Sequence, residues 1–205
     1  MLHEPLDRRQ LLNGLQLAIV ALLLGGRSAK AQVSADAARQ MIQNVGVEVL
    51  AVLRDPALAN QQKFDRLVAL LDGPIDLEII ARLILGRHWR SASEDQQAEY
   101  LALFRAFALD NLASRLHVYD GHDFEIVGAQ AVNERDAVVA TRVIGGGRPV
   151  LKVDWRVREL DDGDLVAIDV IVEGISLIVT QRSEFSSVIE RRGMDGLLAE
   201  LRQRV

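Results

Sequence analysis

The sequence predicts an α+β fold, a curved antiparallel sheet of four strands with helices covering one face. Two observations carry that prediction. Apolar residues recur at steps of three and four through the first half of the chain, then alternate one by one after about residue 122. The alternating stretches are joined by short turns rich in Gly and Asp, too short to hold crossover helices, so neighbouring strands must run antiparallel. A chain of 205 residues, 49% hydrophobic and 26% charged, is long enough for one domain with its own core.

The first 31 residues stand apart from that fold. Arg8 and Arg9 precede an apolar run at 15–24, and Ala29-Lys30-Ala31 has the small-x-small form of a cleavage site before Gln32. The run is shorter than the ~20 residues that span a bilayer. Residues 1–31 are therefore expected to be a cleavable export signal, and residues 32–205 a single domain outside the cytoplasm. DRRQLLN is twin-arginine-like, with Arg27 and Lys30 adding charge before the cleavage site, although a general secretory signal also fits these residues. There is no Cys, so the exported domain must stand on its core, without disulfides or thiolate metal ligands. Loss of the segment's four basic and two acidic residues leaves 20 basic and 27 acidic, a formal charge of −7. That argues against a nucleic-acid binder, which would show a basic face, and against attachment to anionic lipid by charge alone.

Taken in order, Ser34 caps a helix running to about Arg54, with Ala38, Met41, Ile42, Val45, Val49 and Val52 at helical spacing before Asp55-Pro56. A second helix covers 61–71 and ends at Asp72-Gly73-Pro74. A short third one starts near Asp76 and stops at Gly86. Ser93-Glu94-Asp95-Gln96 has the S-x-x-Q form of a capping box, opening a long helix to about Leu116. Leu101, Phe104, Ala108, Leu112 and Leu116 form one stripe along it.

The strands are 123–129, 136–144, 150–158 and 165–173, with turns at 145–149 and 161–164. In the third, Leu151, Val153, Trp155 and Val157 face one way, and Lys152, Asp154, Arg156 and Arg158 the other. In the fourth, the apolar set is Val166, Ile168, Val170 and Val172. After Gly174 the period is helical to about Arg192; Gly193 stops that helix and Asp195 caps a last one, 196–205.

No group of residues demands a catalytic or metal site. His117 and His122 stand with Asp120 and Asp123 between the long helix and the first strand, but their spacing matches no standard ligand motif, and a solvated loop explains them. His88 follows a helix stop and is expected at the surface or a hinge. Gly145 to Gly147 join two strands, with no helix N-terminus behind them to cradle a phosphate. Asp154 and Asp169 lie in neighbouring strands, but Asp154 belongs to the outward charged face and makes a poor member of an acid–base pair. Ser176, Ser183, Ser186 and Ser187 lack a nucleophile elbow. No catalytic residue, metal ligand or cofactor is expected. What remains is an apolar sheet face opposite an apolar helix stripe, which either fill each other or enclose a cavity with aliphatic walls.

LILGRHWRSASEDQQAEYLALFRAF (83–107), VDWRV (153–157), DVIVEGISLI (169–178) and RRGMDGLLAEL (191–201) make the chain resemble the MlaC family, also called the toluene-tolerance auxiliary family. The resemblance covers nearly all of residues 32–205 in order. It implies a nuclear-transport-factor-like arrangement of helices on a sheet around an apolar pocket. It also implies a soluble, non-enzymatic periplasmic carrier that shields phospholipid acyl chains. The implied partners are a diacyl phospholipid, an inner-membrane ABC transporter complex with its substrate-binding subunit, and an outer-membrane lipoprotein complex.

The lipid-binding residues it points to are Phe104, Ala108 and Leu112 on the long helix, and Val139, Val153, Trp155, Val170 and Val172 on the strands. Ile175, in the corner Glu173-Gly174-Ile175-Ser176, is the foremost expected contact with hydrocarbon. Arg148 and Lys152 are the candidates for a headgroup. Leu112 and His88 stand where an aromatic is common in the family, and Gln181 where a Tyr or Lys is common, so pocket size and ligand can differ. A hopanoid is the alternative ligand. A hydrolase or isomerase on the same scaffold, and an adaptor with a filled core, are the alternative functions.

Overall fold

The computed structural model describes residues 33–116, 121–145 and 149–205. The expected export signal lies outside them, as do His117, Asp120, Arg148 and the glycines at 146 and 147.

Several helices open on a side chain that satisfies an otherwise unpaired amide. The Ser34 hydroxyl accepts from the Ala37 N–H at 3.2 Å and starts α1 (Ala35–Arg54). In front of α2 (Asn60–Leu71) the Gln62 side chain reaches back to the Ala59 N–H at 2.9 Å. Asp76 accepts from Ile79 at 2.8 Å and starts α3 (Leu77–Leu85). Gly86, at φ 57°, ends α3 as expected, but the chain re-enters a helix at once, α4 (Arg87–Ser91). The GRHWR stretch is thus a redirected helix: the left-handed glycine bends the axis and brings Trp89 under the Arg82 guanidinium, 4.8 Å from the ring centroid. The capping box is present, with Ser93 and Gln96 exchanging bonds of 3.0 and 3.2 Å ahead of α5 (Glu94–Leu116).

The sheet is an open antiparallel meander of β1 (Asp123–Ala131), β2 (Asp136–Ile144), β3 (Leu151–Glu159), β4 (Leu165–Val172) and β5 (Ile175–Ser176). Four strands were expected from the alternating pattern; β5 is too short to show an alternation. Glu173 and Gly174, both at positive φ (49° and 81°), form the two-residue turn that folds β5 back on β4. The left-handed geometry costs Glu173 about 1 kcal/mol. Two bonds to Lys152 hold it: the Lys152 N–H donates to the Glu173 carboxylate at 2.7 Å, and the Glu173 N–H donates to the Lys152 carbonyl at 3.0 Å.

The expected apolar set of the fourth strand is split. Arg156 opposes Asp169 while Val157 opposes Ala167, so Ile168 is the extra residue of a β-bulge. Val170 and Val172 share a face with Trp155 and Val153, but beyond the bulge that face is continued by Ala167 and Leu165, not by Ile168 and Val166. Strict alternation carries no mark of an inserted residue.

Two cores result. One is solid and aromatic, with Tyr100, Phe104, Phe185, Leu85, Leu197 and Leu201 buried among α3, α5 and α6 (Leu177–Arg202). Tyr100 and Phe185 meet edge to face at 6.3 Å. The Tyr100 hydroxyl donates to the Ala81 carbonyl at 3.0 Å, and burial pushes its pKa above the usual tyrosine range, so it stays a donor. Gly193, at φ 70°, breaks α6 into two stretches where a stop was expected. The second core lies under the sheet's inner face, where Val33, Ala38 and Ile42 meet Ala137, Val139, Val157 and Ala167.

On the sheet's other face Asp136, 1% exposed, accepts from both Arg156 and Arg158 at 2.6–3.0 Å and from Asn133 at 3.2 Å. Burial works to raise its pKa, but the three donors outweigh it and hold the carboxyl well below the usual carboxylate range. Asp136→Asn should lower unfolding stability by about 2 kcal/mol at neutral pH, since it leaves two guanidinium groups without their anion. A folded pKa below the unfolded value of about 4 means that the stabilisation is complete above that pH and fades as pH falls beneath it. Urea unfolding of both proteins at neutral and acid pH should therefore show the gap between them closing in acid.

Candidate functional site

α1 is strongly amphipathic, yet only Ala38 and Ile42 of its 20 residues are buried; α2 buries only Leu67. An apolar helical face that lies inside a fold without being buried must border a void. That void is a cavity of about 990 Å³ between α1, α2 and the inner face of the sheet. From α1 it takes Met41, Ile42, Val45, Gly46, Val49, Leu50 and Leu53, the spacing of one helical face. Leu67 and Leu71 of α2, Pro74, Ile75 and Leu112 of α5 close the sides, and Thr141, Val143, Leu151, Trp155 and Ala167 form the sheet wall. Ile42, Leu67, Thr141 and Ala167 are buried, whereas Asp123, Pro149, Val150, Leu151 and Glu173 are exposed, which places the opening at the latter.

α1 is tied down at its ends. The Val33 N–H donates to the Glu134 carbonyl at 2.9 Å just before the helix. At the far end Arg54 donates to the His122 carbonyl at 3.1 Å and pairs with Asp123 at 3.3 Å. Between these anchors Gly46 lets the Phe124 ring lie against the helix backbone: a Cβ there would stand 2.1 Å from the ring's Cζ. α2 is held by Lys63, which donates to the Leu53 carbonyl at 2.6 Å. Past its end the Ala167 N–H donates to the Pro74 carbonyl at 2.8 Å.

Polar groups in the wall are already committed. The Thr141 hydroxyl donates to the Val153 carbonyl at 2.6 Å and accepts from the Trp155 indole at 3.2 Å. His122, Asp123 and Glu173 line the opening. The Phe124 backbone N–H, then Arg54, hold the Asp123 carboxyl below its ordinary range, so it stays charged. The arrangement suits an apolar body inside and a polar end in water.

Of the residues singled out from the sequence, Trp155 and Leu112 line this cavity, and Ala108 with Leu112 lines an adjoining one of about 160 Å³. Phe104 belongs to the aromatic core, and Val139 and Val153 are buried within the sheet. Val170 and Val172 are half-buried opposite Trp155 and Val153 but do not border the void. Ile175 is 62% exposed in β5, outside the lining. Lys152 is exposed, next to the lining residue Glu173 that its N–H contacts. α1 packs over β1 and β2, whereas Ile175 lies beyond β4, where α6 begins, and of its corner Glu173 reaches the lining.

Of the acid–base alternative, Asp154 and Asp169 share the sheet's outer face on neighbouring strands, but Asp169 is already engaged. Asp169 accepts from the Ser176 hydroxyl at 2.5 Å and the Ile178 N–H at 3.1 Å, both at the start of α6, while Asp154 sits opposite Ala140 and Ile171. His88 lies in α4. The lining residues not singled out as a site include Thr141, Val143 and Ala167 of the sheet and all those of α1 and α2, whose spacing marks a helix facing something apolar but does not say whether that is side chain or space.

A model of the MlaC protein family matches residues 43–203. Among solved structures, a phospholipid-binding protein from Ralstonia solanacearum, determined in complex with a phospholipid, superposes with a TM-score of 0.69. It is 24% identical, and the match covers 81% of this chain and 95% of that one. At that identity the likeness is one of fold.

Gly46→Ala should destabilise the protein by about 1–3 kcal/mol although alanine is the better helix former, because the added methyl meets the Phe124 ring. Phe124→Leu in the same chain should recover most of the loss. Additive effects in a double-mutant cycle would contradict this contact.

Proposed function

Because the chain belongs to the MlaC family, we propose that it is a periplasmic lipid carrier that takes the acyl chains of a diacyl phospholipid into the cavity between α1, α2 and the sheet. The observation that carries this is the cavity, about 990 Å³ with aliphatic walls and with its charged groups at the opening. At ~30 Å³ for each methylene-sized unit, a volume close to water's share of its liquid, that holds roughly 30 units, or two chains of about 15. At about 0.8 kcal/mol per methylene, withdrawing two such chains from water is worth roughly 24 kcal/mol gross. Lipid therefore does not cross an aqueous space unshielded at a useful rate, and a carrier replaces the bilayer for the crossing. The phospholipid held by the Ralstonia protein of like fold supports the same ligand class here.

In this proposal residues 1–31 direct export and are removed near Ala31/Gln32. Among the described residues no helix is long and apolar enough to cross a membrane. The carrier collects and delivers lipid between an outer-membrane lipoprotein complex and an inner-membrane ABC transporter with its substrate-binding subunit. It changes no covalent bond in its cargo. Release requires α1 and α2 to part from the sheet, and a partner drives that by binding the parted state more tightly. The cavity counts against an adaptor with a filled core, and the committed Thr141 and Trp155 count against a hydrolase.

Val45→Glu sets a charge into the wall and should leave the chain folded but with phospholipid content reduced at least about tenfold. Ile175→Glu, on a side chain already in water, should retain its lipid. Phosphorus assay of organic extracts after detergent-free purification, with circular dichroism for the fold, reads both. A Val45→Glu protein with full lipid content would contradict the location of the pocket.

A further inference from the structure

The large cavity does not end where its volume does. The adjoining cavity of about 160 Å³ is lined by Val68, Leu77, Ala108 and Leu109, and it shares Leu71, Ile75 and Leu112 with the large one. Two voids that share three lining side chains are separated by one layer of side chains. Leu71 and Ile75 are fixed in that layer by backbone: the Ile75 N–H donates to the Leu71 carbonyl at 3.0 Å, and Ile75 bridges to Ala167 of β4. Leu112 reaches the layer from the other side, on α5, so its truncation opens the layer without touching the link to β4.

We propose that Leu112, closing against Leu71 and Ile75, is the partition that sets the acyl-chain length the carrier accepts. This rests on the lipid-carrier function proposed above. With the partition shut, a chain longer than the main cavity holds must leave methylenes in the opening. With it gone, one chain end gains the small cavity, room for about five more methylenes at ~30 Å³ each. There it stops, because the small cavity is also lined by Asp72 and Arg105, both exposed and charged. Each methylene newly taken out of water tightens binding about fourfold, so a small change in reach gives a large change in selection.

Ala108 supplies the control. It lines the small cavity and not the large one, so Ala108→Leu fills the extension while leaving the main chamber as it is. The exported chain, purified without detergent, is offered an equimolar mixture of saturated diacyl phosphatidylglycerols of increasing chain length. Native mass spectrometry then reads which lengths are bound.

Leu112→Ala should move the bound distribution to longer chains by up to about five methylenes. Adding Ala108→Leu should return it to the wild-type position. Should circular dichroism show Leu112→Ala unfolded, Leu112→Val should give a smaller shift of the same sign. A wild-type distribution in the folded Leu112 variant, or a shift to shorter chains, overturns the partition while leaving the carrier intact. A wild-type protein that takes up none of the lipids overturns both.

Discussion

α1 is fastened at its two ends and only partly packed along its middle, and the cavity lies under that middle. Amphipathic helices ordinarily close onto a sheet until their apolar faces are buried, since each ångström of gap forfeits dispersion contacts and leaves hydrocarbon wet. Here the N-terminal end is set by the Val33–Glu134 backbone bond and the burial of Ala38, and the C-terminal end by Arg54 on the His122 carbonyl and Asp123. Phe124, seated on Gly46, stands between helix and sheet as a spacer. An interior kept open in this way is poorly satisfied when empty, and the free energy that its walls lack is available to whatever apolar body fills it.

A fold can carry such a hollow only if its stability comes from elsewhere. The aromatic residues show the division: Tyr100, Phe104, Phe107 and Phe185 meet one another tilted or edge to face among α3, α5 and α6. The hollow is walled chiefly by Met, Val, Leu and Ile, with Phe124 and Trp155 at the sheet. Aliphatic walls have no orientation to impose, so they suit flexible chains. The hydrogen-bonding groups that do reach the wall, Thr141 and Trp155, satisfy each other and the Val153 carbonyl, leaving no directional demand on the cargo.

Much of the fold was legible in the sequence because its signals are local. Ser34, Asp76 and the Ser93–Gln96 box each mark a helix start, and Gly86 and Gly193 mark breaks, since the capping bond or the left-handed dihedral belongs to a few adjacent residues. The bulge at Ile168 and the two-residue β5 were not legible, because they exist only in the pairing between strands. The site was legible in part. Trp155 and Leu112 carry the apolar pattern and also border the void, but Phe104 and Val139 carry the same pattern and are core. Periodicity reports that a face meets an apolar environment, and a packed side chain and an empty chamber are the same environment on that measure. The distinction appears only in three dimensions, as residues of α1 that are apolar and inward and yet only partly buried.

The central claim is that this interior is a place for lipid. It is tested most directly by native mass spectrometry of the protein purified without detergent from its own cells, followed by extraction and identification of what leaves. The account predicts one intact diacyl phospholipid per chain, chemically unaltered and released only when the fold is opened by solvent. A hopanoid in its place would keep the carrier and change the cargo. An empty protein that also takes up no phospholipid from added vesicles would contradict the account.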